Sequence, residues 1–113
     1  MPFIDVKTNV ELTSEKKEEL KAELGKAITA IPGKSESWLM VKIEDKADMW
    51  FKGDDSPCVM FDTSIFGLAS NSAYDDLTAR LCKLANDILG VSPSRSYVKY
   101  NEIDHWGWNN MNF

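Results

Sequence analysis

The chain repeats one order of elements, strand, helix, strand, within 113 residues. Runs of apolar and β-branched residues predict strands over 2–9, 37–44, 58–66 and 96–103, with a helix inside each half. The segments SWLMVK and SYVKYN, at 37–42 and 96–101, form a weak internal repeat. Two right-handed βαβ units place both helices on one face of a four-stranded sheet. The sequence therefore predicts a single α+β domain over 1–113, with two antiparallel helices on that sheet.

Both predicted helices carry recognisable start and stop signals. Thr13 or Ser14 can cap the first helix, and Pro32-Gly33 ends it. Ser72 can cap the second helix. Apolar residues recur at helical spacing in both helices, which predicts that these side chains face the core: Leu20, Leu24, Ala27, Ile28 and Ile31 in the first, and Leu77, Leu81, Leu84 and Ile88 in the second.

Two helices cover only one face of a sheet. The predicted strands carry more large apolar side chains than that face can hold, namely Phe3, Trp38, Met40, Val59, Phe61, Val98 and Tyr100. An uncovered apolar face favours association with another chain. The pattern therefore predicts an oligomer.

Composition and charge narrow the range of partners and compartments. The formal net charge of −5 argues against nucleic acid or an anionic membrane as the main partner. No apolar run is long enough for a transmembrane helix, and no signal peptide is visible, so we expect a cytoplasmic address. Cys58 and Cys82 form no CxxC motif, which suits a reducing compartment, and with the lone His105 they make no metal site.

The chain opens with Met1-Pro2, and a proline in second place allows the initiator methionine to be removed. The new N-terminus would be a secondary amine. Burial or a nearby cation such as Lys34 would lower its pKa, and a base poised near the working pH suits general-base catalysis. Taken alone, Met-Pro is usually only a strand start. Gly33-Lys34 alone is usually a helix end followed by a solvated lysine.

Several short segments together resemble the macrophage migration inhibitory factor (MIF) family of the tautomerase superfamily, and the resemblance runs nearly from end to end. They are Met1-Pro2, TNV at 8–10, GK at 33–34, Pro57-Cys58, SPSRSYVKY at 92–100 and WGWNN at 106–110. The resemblance implies the duplicated βαβ fold and a homotrimer whose sheets wrap into a central barrel.

The resemblance also implies a cofactor-independent keto–enol tautomerase with no metal. Its substrates would be phenylpyruvate-type α-keto acids, and dopachrome-type substrates stay open. Pro2 would be the general base, Lys34 would hold the substrate carboxylate, and the backbone N–H of Phe66 would contact substrate. Tyr97 would reach in from a neighbouring subunit. The remaining pocket residues would be Trp38, Trp106, Trp108 and Phe113.

A hypothesis of another class stays open beside the enzyme. Family resemblance equally implies a cytokine-like signalling protein that binds a cell-surface receptor and is secreted by a route without a signal peptide. The family's CxxC motif is only half present, with Cys58 kept and Phe61 in the second position, so we expect no thiol–disulfide activity. Lys99 stands where an asparagine is common, and it either adds a cation to the pocket or points away.

Overall fold

The protein, described over residues 1–113 by a computed structural model, has four long strands, two long helices and a small C-terminal hairpin. Their bounds are β1 Pro2–Thr8, α1 Ser14–Ala27, β2 Met40–Glu44, β3 Val59–Phe66, α2 Asn71–Leu84, β4 Ser96–Ile103, β5 Gly107–Trp108 and β6 Met111–Asn112.

The four long strands form one mixed sheet in the order β2-β1-β3-β4. β1 runs parallel to β2, β3 runs parallel to β4, and the two central strands β1 and β3 are antiparallel. This arrangement confirms the predicted α+β class and the duplicated βαβ units. Neither helix has the length and apolar run required to cross a bilayer.

The helix ends agree with the prediction at α1 and differ at α2. Thr13 caps α1, its hydroxyl accepting a hydrogen bond from the backbone N–H of Lys16 at 3.1 Å. The predicted cap Ser72 of α2 was wrong, because Ser70 accepts from the N–H of Ala73 at 3.2 Å. Both serines suit a cap chemically, but Ser70 holds the extended backbone that a cap requires, while Ser72 already lies in the first turn.

The second strand is shorter than predicted, and this matters for the site. The strand expected over 37–44 begins at Met40, and Glu36–Trp38 form a 3₁₀ turn instead. Met40 is paired with Phe3, and β1 begins at Pro2, so residues before Met40 have almost no neighbouring strand to bond to. Trp38 is therefore carried on a turn above the sheet end.

The core lies between the sheet and the two helices. Alternation along β1 and β3 directs every second side chain to the helices, and Ile4, Val6, Phe61 and Ile65 are almost completely buried there. The helices contribute the predicted α1 stripe Leu20, Leu24, Ala27, Ile28 and Ile31, together with Leu77, Leu81 and Ile88. Leu84 is only partly buried at the edge of this core.

The prediction of apolar residues on the open face was right for Phe3 and Met40, at one end of the sheet, and wrong for four of the other residues. The two-residue period turns Val59, Phe61, Val98 and Tyr100 toward the helices, because strand register assigns alternate residues to one face. Charged side chains occupy the middle of the open face instead. Across the four strands, in the order β2, β1, β3, β4, the paired residues in one row are Lys42, Asp5, Asp62 and Lys99. Apolar side chains of the open face lie toward its ends, where Met40 and Tyr97 are 68% and 57% exposed, so association with another chain would bury them.

Burial predicts a large contrast between two identical substitutions. Leu24→Ala removes a side chain with no exposed surface, so we expect the free energy of unfolding to fall by about 2–5 kcal/mol. Leu68→Ala removes a side chain that is 78% exposed, and we expect a change within about 0.5 kcal/mol. Urea unfolding at one fixed protein concentration measures both values. Equal losses from the two variants would contradict the described packing.

Candidate active site

A groove of about 790 Å³ opens at the end of the sheet where β1 begins and β4 ends. Its walls are mainly apolar and aromatic, as in most small-molecule sites. Residues from five parts of the chain converge there, among them Met1, Pro2, Phe3, Trp38, Met40, Ser64, Ile103, Trp106 and Trp108. This is the place at which the structure brings the N-terminus and the predicted rim together.

Trp38 and Trp108 line the groove and belong to a cluster of four aromatic rings. Trp38 meets Trp108 edge to face, with ring centroids 5.0 Å apart. Phe113 stacks on Trp108 at 6.1 Å and contacts Phe66 at 5.6 Å. Trp38 and Trp108 remain about half exposed, so their surfaces are available to a flat apolar ligand.

The C-terminal hairpin holds two of those rings, and the sequence analysis did not predict it. β5 and β6 pair antiparallel around Asn109 and Asn110, which both adopt positive φ, 51° and 71°. Tight hairpin turns require this conformation, and asparagine tolerates it best after glycine. The N–H of Phe113 donates to the carbonyl of Trp106 at 2.9 Å, which ties the chain end to the groove rim. The Asn-Asn pair was the signal that could have revealed the hairpin.

Lys34 forms the polar end of the site. The helical segment after α1 ends at Ala30, and a turn follows in which Gly33 takes a φ of 81° and the N–H of Lys34 donates to the carbonyl of Ile31 at 3.1 Å. The Lys34 ammonium then donates to the carbonyl of Phe66 at 3.1 Å. Lys34 is therefore not a freely solvated lysine at the end of a helix, which was the alternative interpretation of Gly33-Lys34.

Met1 occupies the position that the resemblance assigns to substrate. The backbone N–H of Phe66 donates to the carbonyl of Met1 at 3.0 Å. While Met1 is attached, the Pro2 nitrogen is a tertiary amide without a basic lone pair. Loss of Met1 would free the N–H of Phe66 and expose the Pro2 amine in one step.

The environment at this end of β1 favours an uncharged amine. Burial, and after it the charge and hydrogen bond of Lys34, lower the pKa of the Met1 amine from 8.0 to about 6. Both effects disfavour the protonated form, the first by removing water and the second by repulsion. An amine in this place is therefore largely unprotonated at neutral pH.

The predicted site residues Pro2, Trp38, Trp106 and Trp108 line this groove. Lys34 and Phe66 lie beside it through their contacts with Met1, and Phe113 through its contact with Trp108, whereas Tyr97 lies away from it. Pro2 is paired with Ile65 and Tyr97 with Met60, five residues back along β3, so roughly 17 Å separates the two levels of the sheet. Tyr97 is 57% exposed on the edge strand β4. Lys99 also stays out of this groove, because its ammonium pairs with Asp62 at 3.2 Å in the middle of the open face.

Neither cysteine contributes to the groove. Cys58 is buried, and partial burial raises the pKa of the Cys82 thiol, which makes it less reactive. No group of three His, Cys, Asp or Glu side chains is arranged to hold a metal ion. The groove therefore relies on an amine, an ammonium, backbone groups and aromatic walls.

Comparison with known proteins places this geometry in a family. The family model for macrophage migration inhibitory factor (MIF) matches residues 1–112. The chain belongs to the MIF family. The macrophage migration inhibitory factor of Meriones unguiculatus is 32% identical over 118 residues, covering 100% of this chain and 99% of that protein.

Two solved structures share the whole fold. Leishmania major MIF2 superposes with a TM-score of 0.93 at 29% identity, covering 100% of this chain and 97% of that one. Pt0534, whose crystal structure was determined after inactivation by 2-oxo-3-pentynoate, gives a TM-score of 0.86 at 16% identity, covering 97% and 95% of the two chains. At that identity Pt0534 shares the fold, and no more follows for the site.

Some groove residues escaped the sequence analysis, notably Met40, Ser64 and Ile103. Strand register explains their place, since Phe3 is paired with both Met40 and Ser64 on the open face. The pairing of strands cannot be read from one strand's alternation alone. Their place at the groove could be predicted only once the order and register of the strands were known.

The site predicts that Lys34 controls the pKa of the terminal amine. In Lys34→Gln the repulsion disappears and burial remains, so we expect the amine pKa to rise while staying below its ordinary value. Nitrogen NMR of a ¹⁵N-labelled N-terminus, followed through a pH titration, measures this. Lys26→Gln is the matched control, because Lys26 pairs with Glu23 on the exposed side of α1. An unchanged pKa in Lys34→Gln would show that Lys34 does not act on the amine.

Proposed function

We propose that this protein is a homotrimeric, cofactor-independent tautomerase that interconverts the keto and enol forms of phenylpyruvate-type α-keto acids. The observation that carries the proposal is the N-terminal amine position, which lies beside Lys34 at the mouth of an aromatic groove. Family membership supports it, since the MIF family lies in the tautomerase superfamily.

In this mechanism removal of Met1 creates the active base. The Pro2 nitrogen becomes a secondary amine on the strand end that now carries Met1, beside the same Lys34. The burial and charge that lower the pKa of the Met1 amine would act on the Pro2 amine as well. A larger unprotonated fraction at neutral pH makes it a better general base.

The substrate carboxylate would bind at the polar end of the groove. The N–H of Phe66 donates to the Met1 carbonyl and the Lys34 ammonium lies beside the Met1 amine, so both would adjoin the space that Met1 leaves. A carboxylate accepts both hydrogen bonds, and the ammonium compensates its charge. The aromatic ring of the substrate would then lie against Trp38 and Trp108, with Trp106 and Phe113 at the rim.

Proton transfer would proceed by a 1,3-shift. The Pro2 amine removes a proton from the carbon next to the ketone, and the electron pair moves to the carbonyl oxygen as the carbon–carbon double bond forms. The protonated Pro2 then delivers a proton to that oxygen, which gives the enol and restores the amine. No electrons leave the substrate, so the reaction needs no redox partner.

A trimer would complete each site. Tyr97 is exposed on an edge strand and too distant to reach its own groove, so it can serve only the groove of another subunit. The open edges of β2 and β4 leave unpaired backbone groups that neighbouring chains can use.

Signalling is a second candidate function, and the match to a family named for an effect on macrophages favours it. The partner would be a cell-surface receptor, and secretion would follow a route without a signal peptide. Both functions can reside in one molecule, because a receptor needs the groove only as a surface. A Pro2→Gly protein that keeps receptor binding and loses turnover would separate the two.

Phenylpyruvate tautomerisation tests the enzymatic proposal directly. We expect turnover from protein whose intact mass confirms loss of Met1, and a fall of about a hundredfold or more in Pro2→Gly, which loses the secondary amine of the general base. Insertion of one alanine before Pro2 is the matched control, since it keeps the proline but makes its nitrogen an amide. We expect the same loss there. Full activity in the insertion variant would exclude the Pro2 amine as the base.

A further inference from the structure

Arg95 makes a dense set of contacts that the proposed chemistry leaves unused. It ends a 3₁₀ turn directly before β4, at the sheet end opposite the groove, and its side chain is only 17% exposed. The guanidinium donates to four backbone carbonyls of one loop, those of Pro57 at 2.8 Å, Ser56 at 2.9 Å, Phe51 at 3.2 Å and Asp54 at 3.4 Å. Only arginine has donors enough, in a fixed fork, to bind them all.

The loop that Arg95 holds combines local and outside contacts. Phe51 and Asp54 exchange backbone hydrogen bonds around a tight turn, in which Lys52 takes a φ of 54° and Gly53 one of 82°, and the Asp54 carboxylate accepts from the N–H of Ser56 at 2.9 Å. A residue other than glycine rarely adopts the conformation of Lys52, so contacts from outside the loop add to its stability. Arg95 supplies them on one side. Asn9 supplies them on the other, donating to the carbonyls of Asp55 and Ser56.

Arg95 also fixes the surroundings of Tyr97. Its guanidinium lies over the Phe51 ring, 5.3 Å from the centroid, and that ring packs edge to face on Tyr97 at 4.9 Å. Phe51 therefore connects the Arg95 guanidinium, with its four backbone hydrogen bonds, to the exposed ring of Tyr97. Each contact is specific in geometry, so a change at Arg95 reaches Tyr97 through Phe51.

We infer that Arg95 is a positioning residue for the groove of the neighbouring subunit. It holds the loop 51–57 and the Phe51 ring in the arrangement that directs Tyr97 across the subunit boundary. The inference rests on the proposed function, in which Tyr97 completes a groove other than its own. Arg95 itself touches no substrate.

Arg95→Lys is the primary variant, because lysine keeps the charge and loses the fork. A small misplacement of a pocket group costs about ten- to a hundredfold in rate, and we expect kcat/KM to fall in that range. Arg80→Lys is the matched control, since Arg80 is the only other arginine and pairs with Asp76 on α2. Phe51→Leu removes the ring between Arg95 and Tyr97 but keeps the four backbone carbonyls that Arg95 binds, and it should reproduce the loss if Arg95→Lys fails to assemble.

Mixed trimers test whether Arg95 acts across the boundary. Arg95→Lys subunits, with Pro2 intact, are refolded together with Pro2→Gly subunits, with Arg95 intact. A site has wild-type composition when an Arg95→Lys subunit supplies Pro2 and a Pro2→Gly subunit supplies Tyr97. Random mixing of equal amounts gives this composition to about a quarter of the sites. We expect the activity of the mixture to rise toward about a quarter of the wild-type activity. Activity at the mean of the two parents would overturn the inference, since Arg95 would then act within its own subunit.

A readout without turnover separates this inference from the proposed function. If wild-type trimers show no turnover, the proposed function fails. ¹⁵N-labelled wild-type subunits are then mixed with an excess of unlabelled Arg95→Lys subunits. We expect shifted indole N–H signals from the groove residues Trp38 and Trp108, while Trp50, in the labelled subunit's own intact loop, serves as the internal reference. Unshifted groove signals would overturn the inference.

Discussion

The structure depends on one constraint, which is that the first residues of the chain form a central strand. β1 is hydrogen-bonded on both sides, to β2 and β3, and Ile4 and Val6 are completely buried beneath the helices. Chain ends usually fray unless they are tied down in this way. Because β1 is held along its whole length, the amine at its start has a fixed place, and burial and Lys34 can act on it.

The order of elements was predictable from the sequence, because strand and helix periodicities are local. The ends of elements were less so. β2 starts at Met40 rather than 37 because β1 offers it no earlier partner, and α2 is capped by Ser70 rather than Ser72 because the backbone conformation, not the side-chain type, decides. The open face was predicted only in part, for a similar reason. Counting apolar residues gives no register, and register sends Phe61 and Val98 to the core and Asp62 and Lys99 outward.

The sequence predicted those residues of the candidate site whose side-chain or backbone type is itself required for the chemistry. Pro2 and Lys34 were named from the family resemblance, and in the structure Lys34 lies beside the N-terminal amine that precedes Pro2. Contacts that come only with the three-dimensional fold were not predictable. They include the Met1 carbonyl on the N–H of Phe66, the ring contacts of the C-terminal hairpin, and the loop that Arg95 clasps. Each joins segments that are distant in sequence, and single-chain pattern analysis has no access to such pairs.

The central claim is that the Pro2 amine is a reactive, uncharged group in a site for 2-oxo acids. The most direct test is to treat protein lacking Met1 with 2-oxo-3-pentynoate at neutral pH and to locate the adduct by peptide mass mapping. An unprotonated amine adds to the alkyne of this reagent, and the adjacent carbon takes up the proton. The account predicts one adduct per subunit, on Pro2, and none there when Met1 is retained. An unmodified Pro2, or an adduct on Cys58 or Cys82 instead, would contradict it.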